Sequence, residues 1–303
     1  EPYVLGQRIS AGFDVYRNTR TFTDSRYNSE TTGGTIRFGL PITQALTANI
    51  AYNLVQERYS YRDGAIACTA PATPSGCNVS RFIAQAVDQG DWLRSSVSAG
   101  LTYNTIDNMQ NPRQGLFATF STEVAGLGGN ARFVKVTGRG NYYHTLNEEL
   151  DLIGVLTAGG GHISTFGGGQ LRVFDLFNSS DRIIRGFEFN GIGPYEMVAG
   201  RAQHLGGTTY FHGSAEAQFP LPALPRDFGL RGAVFADAAT LHGSPFAGQD
   251  GVTGTAMAWR ASVGAGILWA SPFGPLRVDY AVPVLSQPGD KIQNFSFGIS
   301  TRF

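Results

Sequence analysis

Residues 93–105 read Leu93-Arg94-Ser95-Ser96-Val97-Ser98-Ala99-Gly100-Leu101-Thr102-Tyr103-Asn104-Thr105. Leu93, Val97, Ala99, Leu101 and Tyr103 share one parity, and Arg94, Ser96, Ser98, Thr102 and Asn104 share the other. A period of two belongs to a β-strand with two unlike faces, because successive side chains leave opposite sides of the pleat. The pattern recurs on both sides of this stretch. In 9–15, Ile9, Ala11, Phe13 and Val15 oppose Ser10, Gly12 and Asp14; in 46–54, Leu46, Ala48, Ile50, Tyr52 and Leu54 oppose Thr47, Asn49 and Asn53. At the end of the chain Phe295, Phe297, Ile299 and Phe303 oppose Asn294, Ser296, Ser300 and Arg302. No stretch keeps an i, i+3, i+4, i+7 stripe, so helices are not expected.

Twelve alternating segments follow from this reading, near 8–17, 33–41, 45–59, 92–106, 116–125, 132–146, 149–162, 207–219, 228–240, 256–270, 275–284 and 293–303. Most exceed the roughly 5–6 residues of a typical globular strand. Their connectors sort by length. Long ones at 18–32, 60–91, 163–206, 241–255 and 285–292, with 126–131 the short exception, tend to alternate with tight ones at 42–44, 147–148 and 271–274, while 107–115 and 220–227 are somewhat longer. A soluble sandwich has no reason to sort its loops in this way, whereas a transmembrane barrel has short periplasmic turns and long extracellular loops.

Composition agrees. Of 303 residues 42% are apolar and 15% charged, the net charge is zero, glycine numbers 40, and Lys135 and Lys291 are the only lysines. Disorder needs low hydrophobicity and high net charge, and nucleic-acid binding needs a basic excess; neither is present. No apolar run reaches the ~18–20 residues of a membrane helix. Glu123, Arg139, Glu216, Arg231, Asp237, Arg260, Arg277 and Asp279 all fall on the polar parity of their segments. An arginine facing lipid at midplane costs about 2–4 kcal/mol, so this placement is informative. Trp92, Trp259 and Trp269 stand near segment ends, where amphipathic rings favour the headgroup level; a core position is the other reading of each tryptophan taken alone. The expected fold is an all-β transmembrane antiparallel barrel.

Cys68 and Cys77 bracket a stretch rich in Pro, Ser, Thr and Ala, on the side expected to be extracellular. An oxidising compartment permits a small disulfide loop there. A metal site is the alternative, although no histidine or carboxylate lies between the two cysteines.

In the longest connector stands Ile184-Arg185-Gly186-Phe187, followed by Asn190-Gly191-Ile192-Gly193-Pro194. Here the chain closely resembles the barrels of the BamA-like outer-membrane assembly factors. Their superfamily of surface-antigen and POTRA transporters carries a (V/I)RGF motif in its sixth extracellular loop. Phe235-Ala236-Asp237-Ala238, Gly39-Leu40-Pro41-Ile42, and Ser271-Pro272-Phe273-Gly274-Pro275-Leu276 with Asp279-Tyr280-Ala281 extend the resemblance.

The resemblance implies that loop 163–206 folds back into the lumen. It also implies that Arg185, with Gly186 and Phe187, acts there as a lock against the lumen acids Glu216 and Asp237. Both acids lie on polar faces of sequence-adjacent strands, where a guanidinium can form charge-assisted bonds. The other reading of Arg185 is an exposed loop residue. Phe295, Phe297, Gly298, Ile299 and Phe303 resemble the C-terminal strand signal of outer-membrane barrels, with Thr301 a departure.

Family barrels have sixteen strands preceded by POTRA domains. The resemblance therefore implies that 1–303 is a partial C-terminal barrel domain; a reduced twelve-stranded barrel is the alternative. It further implies assembly and insertion of β-barrel proteins into the bacterial outer membrane without ATP. Outer-membrane lipids, nascent barrel proteins and accessory lipoproteins are the implied partners. Alternatives are a polypeptide-secreting transporter of the same superfamily and a passive porin. The five histidines are scattered and the glycine runs lack the lysine of a phosphate loop. No enzyme, cofactor or metal is expected.

Overall fold

The computed structural model describes residues 9–21, 26–68, 75–109, 111–178, 183–221, 229–271 and 274–299. Twelve strands form one sheet: β1 (Ser10–Thr21), β2 (Tyr27–Pro41), β3 (Leu46–Tyr61), β4 (Trp92–Asn104), β5 (Gly115–Gly129), β6 (Phe133–Asn147), β7 (Leu152–Thr165), β8 (Thr209–Pro220), β9 (Leu230–His242), β10 (Arg260–Ser271), β11 (Gly274–Leu285) and β12 (Phe295–Ile299). Each pairs antiparallel with the next in chain order. Among the described residues β1 and β12, the outermost strands, do not pair with each other.

The sheet is inside-out by the standard of a soluble protein. Phe13, Ile36, Phe38, Ile50, Leu101, Phe120, Val263, Phe295 and Phe297 are exposed, while Glu216, Asp237, Arg260, Arg277 and Asp279 are buried on the opposite face. Hydrocarbon around the outer face accounts for both, since it welcomes the apolar side chains and forces the charges inward. Register keeps the parity coherent, with Phe38 opposite Ile50 and Ile50 opposite Ala99.

Several expectations need correction. Strand β2 starts at Tyr27, well before the expected 33. Its first residues are polar on both faces, because β1–β4 run beyond the apolar band. There charges also occupy the outward parity, as in Arg17–Glu30 (2.6 Å) and Arg58–Asp91. Trp92 belongs to the inward face and is buried, whereas Trp259 and Trp269 remain partly exposed. Loop 60–91 contains a helix, α1 (Arg81–Asp88). Its apolar Phe82, Ile83, Ala86 and Val87 make barely two turns, too short for a helical stripe to stand out. Of the C-terminal signal, Phe295, Phe297 and Gly298 lie on β12 with Ile299 at its end, and Phe303 lies outside the described residues.

The long loops build a cap. Cys68 and Cys77 are joined by a disulfide. Just after it, Ser80 caps α1 and donates to Glu196 (2.5 Å), and its N–H donates to Gln203 (2.8 Å). Phe82, Ile83 and Val87 pack with Val79, Val173 and Leu205. Thus the 62–91 loop sits directly on the hairpin Tyr195–Val198/Arg201–His204, to which Val252–Thr253 adds a third short strand.

His204 at the end of that hairpin is buried, its ring 5.6 Å from that of Tyr195, and neither ring nitrogen has a hydrogen-bond partner among the described residues. Burial first, then the nearby Lys291 and Arg260, pushes its imidazole down to about 3 from the ordinary 6.5. An opened hairpin binds a proton that the closed one refuses, so closure is fully favoured above pH 6.5 and weakens as pH falls toward 3. Amide exchange across 195–205, corrected for intrinsic rates, should rise when pH is lowered from about 7.5 to about 4.5. In His204→Phe that excess should vanish.

Candidate functional site

The cluster begins with strand register. Ser214 of β8 lies opposite Asp237 of β9, and Glu216 opposite Phe235, so the two acids are diagonal neighbours on the inward face. On β10, Gly264 lies opposite both Phe235 and Ala281. A Cβ at Gly264 would come within 2.6 Å of the Phe235 ring, so only glycine lets that ring lie flat across the sheet. Arg277 and Asp279 occupy the same inward parity on β11.

Loop 163–206 delivers Arg185 onto this platform. Its Nε and Nη2 donate to the two carboxylate oxygens of Asp237, both at 2.6 Å, and Nη1 donates to Glu216 at 2.6 Å. Nη2 also reaches Ser214 Oγ (2.9 Å), which itself donates to Asp237 (2.6 Å). The guanidinium lies 3.3 Å from the centroid of the Phe235 ring. Arg277 in turn clasps Glu216 (2.7 and 3.0 Å) and Asp279 (2.8 and 2.9 Å). Two guanidiniums therefore serve three carboxylates, and all five side chains are buried. Planar forks and a ring face suit arginine; a lysine would supply charge without the fork.

The neighbours of Arg185 in the motif have local reasons. Gly186 has φ +90°, a region closed to most L side chains. Phe187 is buried with Ile184, Ile192, Ala239 and Leu241, which fastens the loop to the inner face of β9. Gly186 and Phe187 also pair antiparallel with Gln293 and Ile292. Glu188 N–H donates to the Lys291 carbonyl, and Lys291 N–H donates to that of Gly191, each at 2.9 Å. The loop tip is thus bonded to the segment that leads straight into β12.

The structure brings Arg185, Glu216 and Asp237 together, and it adds Arg277, Asp279, Ser214 and Phe235. Sequence reasoning placed Arg277 and Asp279 only on the polar parity, and that parity was the available signal. The pairing with Ile292–Gln293 had none, since two isolated residues form no pattern.

Removing one partner of a buried ion cluster leaves an uncompensated charge worth about 3–5 kcal/mol. Arg185→Ala should therefore lower the temperature at which the barrel loses its compact form in detergent, followed by heat-dependent gel mobility. Arg185→Glu should be worse, and Asp237→Arg in the same chain should partly restore it. Gly186→Val should resemble Arg185→Ala even though every charge is retained.

The Omp85 superfamily domain matches residues 1–303. The outer membrane protein assembly factor BamA of Neorickettsia risticii is 29% identical over 296 residues, covering 97% of this chain and 37% of its own length. BamA of Neisseria meningitidis is 25% identical, covering all of this chain and 40% of its own length. The human sorting and assembly machinery component 50 homolog is 30% identical over 75% of this chain and 50% of its own. The chain therefore spans half or less of these relatives. Among solved structures, BamA from Haemophilus ducreyi lacking POTRA domains 1–3 superposes with a TM-score of 0.81 at 21% identity, over 98% of this chain and 59% of that one. The chain belongs to the Omp85 superfamily, and its barrel is BamA-like.

Proposed function

We propose that this chain is the barrel of a factor that assembles and inserts β-barrel proteins into the bacterial outer membrane, without ATP and without enzymatic chemistry. The observation that carries the reading is the set of relatives named as assembly factors or as assembly machinery components, bacterial and human, that align along most or all of the chain. Geometry supplies a physical route. A client strand needs unpaired backbone N–H and C=O groups to pair with, and a sheet edge offers them. Described pairing of β12 with β11 is short, from Tyr280 opposite Phe295 to Leu276 opposite Ile299. Bonding of the loop tip just ahead of β12 then sets how far that strand can move. Arg185, Gly186 and Phe187 are the lock in this reading, and Glu216 and Asp237 the acids that receive it. Nascent barrel proteins, bilayer lipids and accessory lipoproteins are the partners.

The test uses the full-length protein that carries this chain, in proteoliposomes, with an unfolded small barrel protein as client and its folding followed by gel mobility. Folding should run at least about tenfold faster than in empty liposomes, a barrier reduction of about 1.4 kcal/mol. Equal rates would overturn the assembly reading. Phe187 and Ile292 are opposed residues of an antiparallel pair, close enough for a disulfide. Phe187→Cys with Ile292→Cys, in a Cys68→Ser/Cys77→Ser background, should stop folding when oxidised and resume it on reduction. Full activity in the oxidised protein would remove the loop from the mechanism.

A further inference from the structure

Loop 163–206 carries a second buried arginine that the cluster above does not use. Arg172 Nη2 donates to Glu57 of β3 (2.6 Å) and to Asp175 (2.9 Å), and its backbone N–H also donates to Asp175 (2.8 Å). Its guanidinium stands 4.3 Å from the Trp92 ring centroid. Behind it Arg94 of β4 bridges Glu57 (3.4 Å) and Glu123 of β5 (3.3 Å), and Lys135 of β6 donates to the Asp175 carbonyl (3.3 Å). The loop is therefore tied at Arg172 to the β3–β6 wall and at Arg185 to the β8–β11 wall.

The two ties differ in what each leaves behind when broken. If Arg172 departs, it takes Asp175 with it as its own counter-ion, and on the wall Glu57 and Glu123 still share Arg94. If Arg185 departs, Glu216 keeps Arg277, but among the described residues Asp237 retains only the Ser214 hydroxyl. A buried carboxylate in that state is strongly disfavoured. Both ends also carry apolar contacts, Leu171 and Leu176 with Trp92 and Phe133, Val173 with α1 and Phe174 stacked on Tyr59 at one, Ile184 and Phe187 with Leu241 at the other, so what distinguishes the two is the charge left behind. We infer that Arg172 is the releasable latch of this loop and Arg185 its fixed anchor, so that the loop opens by swinging off the β3–β6 wall about the Arg185 end. This inference concerns the loop alone and holds whether or not the assembly reading does.

The test needs no client. The full-length protein is placed in planar bilayers, and channel openings are recorded beside its unfolding temperature in detergent. Glu57→Gln, and Arg172→Gln combined with Asp175→Asn so that no carboxylate is stranded, should each raise the frequency of large openings about tenfold, the response to a shift of about 1.4 kcal/mol between closed and open states. Their unfolding temperatures should stay near that of the parent. Arg185→Ala should instead lower the unfolding temperature, and adding Asp237→Asn should recover most of the loss by removing the stranded charge. Unchanged openings in both Glu57→Gln and Arg172→Gln/Asp175→Asn would overturn the latch. So would a loss of unfolding temperature in Glu57→Gln equal to that in Arg185→Ala.

Discussion

A sheet bathed in hydrocarbon has no water on its outer face, and most of this structure follows from that. Backbone N–H and C=O groups must pair strand to strand, and side-chain charges at bilayer depth must turn inward. The strands obey both demands, with apolar residues outside and Glu216, Asp237, Arg277 and Asp279 buried within. Turning charges inward transfers the problem to the lumen. Three carboxylates on β8, β9 and β11 meet one strand-borne arginine, Arg277, and the deficit is reduced by Arg185 from a loop. The long loop is in this sense a component of the wall.

The same constraint makes the loop a mechanical element. Its tip is held in the ion cluster of one wall and bonded through Gly186 and Phe187 to the segment ahead of β12, while α1 packs on Val173 and Leu205 elsewhere in the loop. A displacement at any of these points is felt at the others, because the contacts between them are backbone hydrogen bonds and close-packed side chains. The asymmetry between Arg172 and Arg185 gives that linkage a direction. One end carries its counter-ion with it, and the other leaves a carboxylate behind.

Much of the fold was legible because a strand's parity is a local property. Phe13, Ile50 and Leu101 alternate with polar neighbours whatever lies across the sheet, and the twelve expected segments correspond to the twelve strands. Legibility failed where locality failed. Residues 27–32 are polar on both faces and read as loop until pairing with β3 makes them strand. Helix α1 holds too few turns to show a period, and it is stabilised by Val173 and Leu205, which are far away in the chain.

What the sequence determined by itself is therefore the strand pattern, the inward parity of the charges and, through the RGF resemblance, which loop arginine to watch. It could not say which charges meet. Arg185 and Asp237 are 52 residues apart, and Arg172 and Glu57 are 115 apart. Only the curl of the sheet and the path of the loop bring each pair within hydrogen-bond reach. Parity assigns a side chain to a face, but the identity of its partner depends on a curled sheet to which every strand contributes register. That geometry alone decided that Arg277 and Asp279 join the cluster, that Trp92 faces inward, and that the loop is held by two arginines on opposite walls.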